Sequence, residues 1–154
     1  MKINNGPRGT IIVDDARIIF RNFAGAQTQF NRAGDRNFAL VIDNLDDANR
    51  LIADGWNVKT KPPRDEGDTP LMFLSVKVKF NDYGPNVYLK SGDNFIPLTE
   101  DTVSTLDTID ILSCDMDIRP YDWEMPSGMK GRTAYLDGIT VHQQVDRFRA
   151  KYEN

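Results

Sequence analysis

Apolar and polar residues alternate most clearly through residues 107–141. Leu112, Cys114, Met116 and Ile118 alternate with Ser113, Asp115, Asp117 and Arg119, the two-residue period of a half-buried strand. Pro120 has no N–H to give a ladder, so it ends or edges that strand. The turn Ser127-Gly128-Met129-Lys130-Gly131 then leads into a second strand. Residues 71–80 alternate as cleanly, with Met72, Leu74, Val76, Val78 and Phe80 on one face and Phe73, Ser75, Lys77 and Lys79 on the other. Residues 10–23 begin Ile11-Ile12-Val13, turn or bulge at Asp14-Asp15 and continue as Ile18-Ile19-Phe20. In that second piece Arg17, Arg21 and Phe23 share one parity and Ile18 and Phe20 the other. Residues 36–43 alternate around Phe38, Leu40 and Ile42, and residues 56–60 make a short strand.

The period changes in residues 44–54. Leu45, Ala48, Leu51 and Ile52 fall at helical spacing, Asn44 or Asp43 can cap the start, and Gly55 stops the helix. A second short helix is expected over residues 99–106, capped by Thr99, and a terminal helical turn or two over 145–152. Residues 24–35 and the proline-rich, mobile 61–70 read as loops, and 81–84 turn the chain into a strand at 86–90. The order is then β-β-α-β-β-β-α-β-β. It predicts a mainly β, single OB-like domain spanning 1–154: a partly open barrel of five or more strands with one or two short helices. A β-sandwich is the competing architecture. Residues 1–9 are expected to be a flexible N-terminus.

A chain of 154 residues with 40% hydrophobic and 27% charged residues can bury a core of its own. It has no run of about 18 apolar residues to cross a membrane. Its first residues lack the apolar core of a signal peptide. The single Cys114 excludes an internal disulfide and points to a reducing cytoplasm. The net charge of −4 is unevenly spread, since residues 93–124 hold nine Asp/Glu against one Arg. Away from that segment local fields favour an anionic partner on one face.

Candidate chemistry is sparse. One histidine, His142, and one cysteine cannot build a Cys/His zinc site, and no phosphate-binding glycine motif occurs. No cofactor or catalysis is expected. Asp115 and Asp117, two apart on a strand, would share a face. With Asp110 or Asp122 they form the one candidate hard-cation site, of the metal-nuclease kind. Basic-aromatic strips are the more distinctive feature. Arg119, Tyr121 and Trp123, with Lys130 and Arg132 across the turn, set rings beside cations, as stacked bases and a phosphate backbone require. Lys77 and Lys79 with Phe73 repeat the arrangement, as do Arg17, Arg21 and Phe23. Lys59 and Lys61 lead into the proline-rich loop. The plain alternatives are solvated faces that keep sheet edges soluble, Trp56 as a core anchor beneath the helix, and Tyr121 and Trp123 as a plug at the barrel's end.

The segments Ile19-Phe20-Arg21-Asn22-Phe23, Arg36-Asn37-Phe38, Ala53-Asp54-Gly55-Trp56-Asn57-Val58-Lys59, Ile118-Arg119-Pro120-Tyr121-Asp122-Trp123-Glu124 and Ala134-Tyr135-Leu136 resemble a family of bacteriophage single-stranded DNA-binding proteins of OB type. The resemblance covers most of the chain. It implies binding of single-stranded DNA with little sequence preference, protecting it during phage replication or recombination in the cytoplasm of the infected host. It also implies phage replication or recombination proteins as partners and no membrane, with a homo-oligomer left open. The chain ends Arg147-Phe148-Arg149-Ala150-Lys151-Tyr152-Glu153-Asn154, without the acidic tail by which many such proteins recruit partners. The alternative from another class is a protein-interaction module whose acidic 93–124 segment docks a basic partner.

Overall fold

A computed structural model describes residues 1–145. The helical turn expected over 145–152 lies outside the described residues, apart from Val145. The strands are β1 (Lys2–Asn5), β2 (Ile11–Ala16), β3 (Ile18–Asn22), β4 (Arg36–Val41), β5 (Val58–Lys61), β6 (Leu71–Val78), β7 (Asn86–Ser91), β8 (Asn94–Leu98), β9 (Ile111–Glu124) and β10 (Lys130–Gln143). One helix, α1 (Leu45–Ala53), follows β4. All ten strands belong to one sheet of order β1-β2-β9-β10-β6-β4-β3, with β5 beside β6 and β7–β8 beside β10. The sheet does not close. The mainly β, partly open architecture expected from the pattern is the one adopted, and the two-sheet sandwich is not.

The β9–β10 hairpin is the spine. Its strands pair from Lys130↔Glu124 to Gln143↔Ile111, with bulges near Asp137 and His142. β2 lies along the free edge of β9. The free edge of β10 takes two parallel partners end to end, β6 at Ala134–Tyr135 and β7 at Gly138–His142. The 81–84 turn therefore passes the chain along β10 rather than folding β7 back on β6. Pro120 does not end β9. It pairs with Ala134 on the β10 side, and the β2 ladder has already stopped at Ile11↔Ile118, so its flank is an edge where no N–H is needed.

The core fills the inner face. Cys114, Met116 and Ile118 of β9 meet Leu74, Val76 and Val78 of β6, Phe38 and Leu40 of β4, and Val13 of β2. Ala48 and Leu51 of α1 cover one side and Val103 and Leu106 another. Asn44 caps α1, its side-chain oxygen accepting the Asp47 N–H at 2.8 Å. Gly55, at φ 100°, ends it: its N–H reaches the Ile52 carbonyl and the Trp56 N–H reaches Leu51, the paired bonds of a Schellman motif. Trp56 is buried beside the helix, as the core-anchor reading has it.

Several expectations give way. Leu45, Ile52 and Leu112 are more than half exposed: the first two lie on α1's outer flank, and Leu112 is the residue skipped by the register shift between His142↔Ser113 and Gln143↔Ile111, while Ile111 packs against the core. Residues 99–106 form only a 3₁₀ turn, Val103–Asp107, entered from Thr102 rather than Thr99. The expected flexible N-terminus is instead β1, paired in register with β2 from Lys2↔Asp14 to Asn5↔Ile11, followed by the 3₁₀ turn Pro7–Gly9. Strand β8 went unpredicted because it is exposed along almost its whole length and shows no alternation.

Candidate nucleic-acid interface

Alternation places Arg119, Tyr121 and Trp123 of β9 on the outer face, opposite Ile118. Cross-strand register then builds a row: Arg119 faces Tyr135 on β10, Tyr135 faces Lys77 on β6, and Lys77 faces Asn37 on β4. Within it the Arg119 guanidinium lies over the Tyr135 ring at 4.8 Å, and Tyr121 meets that ring edge-on at 6.1 Å. Four residues back along β6, Phe73 faces Lys59 of β5. Phe73 also meets the Phe20 ring at 5.6 Å and 80°, with the Lys61 ammonium 6.0 Å from Phe20.

Between these groups the surface is concave. A groove of about 740 Å³ is lined by Phe20, Phe30, Asn37, Lys59, Ser75 and Lys77. A hollow of about 370 Å³ continues it past Lys77 and Lys79. A third, of about 220 Å³, runs from Lys79 to Arg119 and Tyr83. Shared lining residues join the three into one trough with cations and rings along its length.

The same sheet face is acidic beyond Arg119. Asp137 pairs with Arg119 at 3.0 Å and marks the boundary. Asp117 titrates above the usual carboxylate range, first because burial penalises its charge and then because Asp137 and Asp14 stand near. Burial would also raise Asp115, but the Asp15 N–H and the His142 ring, at 2.9 and 2.8 Å, outweigh it and hold Asp115 low. The field of this face is therefore unfavourable to an anion beyond Arg119 and favourable on the Arg119–Lys77 side. The candidate cation site does not assemble. Among the described residues no three His, Cys, Asp or Glu side chains lie together as metal ligands, and Asp122 is held by Arg132 at 2.6 Å. Cys114 is buried and its thiol is pushed up to about 12, by burial and then by Asp115, so it is no nucleophile at neutral pH.

A family model described as "Putative phage ssDNA-binding domain" matches residues 3–154. The chain belongs to this phage single-stranded DNA-binding domain family. Solved structures agree at the level of the fold. The single-stranded DNA-binding protein from bacteriophage Enc34, in a C-terminally truncated form, superposes with a TM-score of 0.58 at 13% identity, covering 95% of this chain and 97% of that one. The same phage protein in complex with ssDNA gives 0.56 at 15% identity, covering 96% of each chain. No curated protein matches the sequence.

In this phage domain Lys59, Lys77, Lys79 and Arg119, of the residues singled out in sequence, line the outer trough, and Lys61, Phe73 and Tyr121 flank it through the rings of Phe20 and Tyr135. The others are taken up in structure, as Arg21 is although it borders the groove, or lie off the trough. Phe23 is fully buried and stacked on Phe38 at 5.3 Å. Arg21 donates to the Leu106 and Ile109 carbonyls at 2.7 and 2.8 Å and is taken up in structure. Arg132 sits behind the face, donating to the Asp54 carbonyl at 2.7 Å, clamping Asp122 and lying 5.0 Å from the Trp56 ring. Arg17 and Lys130 are exposed but line none of the three hollows. Trp123 is half-buried over Gly131, where a Cβ would come within 2.6 Å of the indole, so it packs across the hairpin.

Sequence reading missed Phe20, Phe30 and Tyr83 as site residues. Phe30 is 92% exposed and Tyr83 96%, each on a polar loop. An isolated aromatic in such a loop was the available signal, since no core neighbour follows it at strand or helix spacing. The Phe30 loop is well tied: Asn31 Nδ2 donates to the carbonyls of Ala26, Arg32 and Asp35 within 3.0 Å.

The clamp role of Arg132 has a measurable consequence. Arg132→Ala should lower stability by about 1–3 kcal/mol through the lost carbonyl bond and ring contact, read as an earlier urea midpoint. DNA affinity should stay unchanged. A stable variant with weakened binding would return Arg132 to the interface.

Proposed function

We propose that this domain binds single-stranded DNA in the outer trough, with phosphates against Lys59, Lys77 and Lys79 and unpaired bases on the aromatic rings. The carrying observation is the row Arg119–Tyr135–Lys77–Asn37, continued by the Phe73–Lys59 pair. Stacking on such a platform is worth about 1–3 kcal/mol per base and tolerates any base, which supports little sequence preference. The reading extends to protection of single strands during phage replication or recombination, in the cytoplasm of the infected host, alongside the phage's replication or recombination proteins. Among the described residues no helix is long and apolar enough to cross a membrane. Binding needs neither cofactor nor catalysis.

Fluorescence anisotropy with labelled oligo-dT and a matching duplex tests this. The single strand should bind more tightly, because paired bases cannot reach the rings. Affinity should fall with salt at a log–log slope of about −0.7 per phosphate neutralised. The same mixtures with magnesium should return the DNA intact. Equal affinity for duplex, or no binding at low salt, overturns the reading and favours the protein-interaction module.

A further inference from the structure

We infer that the β3 bulge at Phe20 forms a subsite for one unpaired nucleobase; this rests on the single-strand reading above. Phe20 has φ 52°, a left-handed backbone that bulky side chains adopt only when their surroundings impose it. Strand parity would turn Phe20 inward with Ile18. Instead the register slips between Ile19 and Asn22. Phe20 emerges 56% exposed, and Phe23 takes the buried place.

The slip is held by residues 106–109. Arg21 ties the bulge to the Leu106 and Ile109 carbonyls. Asp107 accepts the Phe23 and Ala24 N–H groups at 2.8 and 2.9 Å. The fold thus maintains a strained backbone whose effect is to expose an aromatic ring, opposite to what burial alone would favour. Strain at an over-determined position is a pointer to function.

The surroundings indicate the ligand. Phe20 and Phe73 form an aromatic corner, two rings 5.6 Å apart at 80°, into which a flat group fits against one ring with its edge toward the other. Lys61 and Lys59 stand beside it, and the corner opens into the trough. A flat ring carried on an anionic backbone is what this combination accepts, and a nucleotide unit of a single strand has that form.

The test pairs a base-deletion scan with backbone-compatible substitution. Wild-type protein is titrated with labelled oligo-dT in which one position at a time is abasic, leaving the phosphates in place. At least one position should lose roughly tenfold in affinity, within the range of a single stacked base. Phe20→Asn, whose side chain tolerates the left-handed region, should bind intact oligo-dT roughly tenfold more weakly with an unchanged salt slope. It should lose nothing further at the sensitive abasic position, and its Tm should be unchanged or raised. Phe20→Tyr should retain wild-type affinity. A flat abasic scan in the wild type overturns the subsite without reference to any variant. So does Phe20→Asn binding intact oligo-dT as the wild type does, and the trough reading then stands without the subsite. Wild-type protein that binds no oligo-dT overturns both.

Discussion

Phe23→Ala should destabilise the domain by about 3–5 kcal/mol, the range for emptying a large aromatic site in a packed interior. Phe23 is fully buried, stacks on Phe38 and follows a bulge that leaves no alternative occupant for the cavity. Against a total of about 5–15 kcal/mol for a typical domain, this is a large share. Urea unfolding monitored by tryptophan fluorescence should give a much earlier midpoint with little change in m. At temperatures where the variant is still folded, its affinity for oligo-dT should match the wild type. A stable variant with weakened binding would place Phe23 in the trough.

Removing Lys77 and Lys79 together should have the reverse signature. Both side chains are exposed on the outer face of β6 or just beyond it and line the middle of the trough. Two lost phosphate contacts should flatten the log–log salt slope by about 1.4. At 0.1 M monovalent salt each contact contributes about 0.7 log units by the same relation, so affinity should fall about 25-fold. Stability should shift by no more than about 0.5 kcal/mol per site, as is usual for exposed substitutions. Unchanged affinity in a folded double variant would move the strand off this face.

Much of the architecture is written in short-range pattern. Alternation located β6 and β9, the glycine-rich turn after β9 placed β10, and Asn44 with Gly55 bracketed α1 within a residue. What escaped was set by contacts distant in sequence. Arg21 and Arg132 look like solvent-facing cations until carbonyls 85 and 78 residues away arrive as acceptors. The exchange of Phe20 for Phe23 turns on a bulge that shifts side-chain parity, and a single strand read alone does not reveal where its register slips. Phe30 and Tyr83 sit on loops, where periodicity carries no information. The face bearing Lys77, Lys79, Arg119 and Tyr121 was legible because it lies on long regular strands. Its acidic boundary at Asp137 was not, because a bulge in β10 sets it.

The position of β10 also shapes how the domain comes into being. Both parallel neighbours, β6 and β7, and the antiparallel β9 lean on this one strand. A nascent chain that has emerged only as far as β9 lacks the strand that ladders its β6–β4–β3 half to its β9–β2–β1 half. The two halves should wait, partly solvated, until residues 130–143 leave the ribosome. The hairpin can then zip locally before the parallel pairings close over long loops. Assembly dominated by such distant pairings is slow compared with local helix formation. In the interval the exposed strand edges are vulnerable to mispairing with other chains.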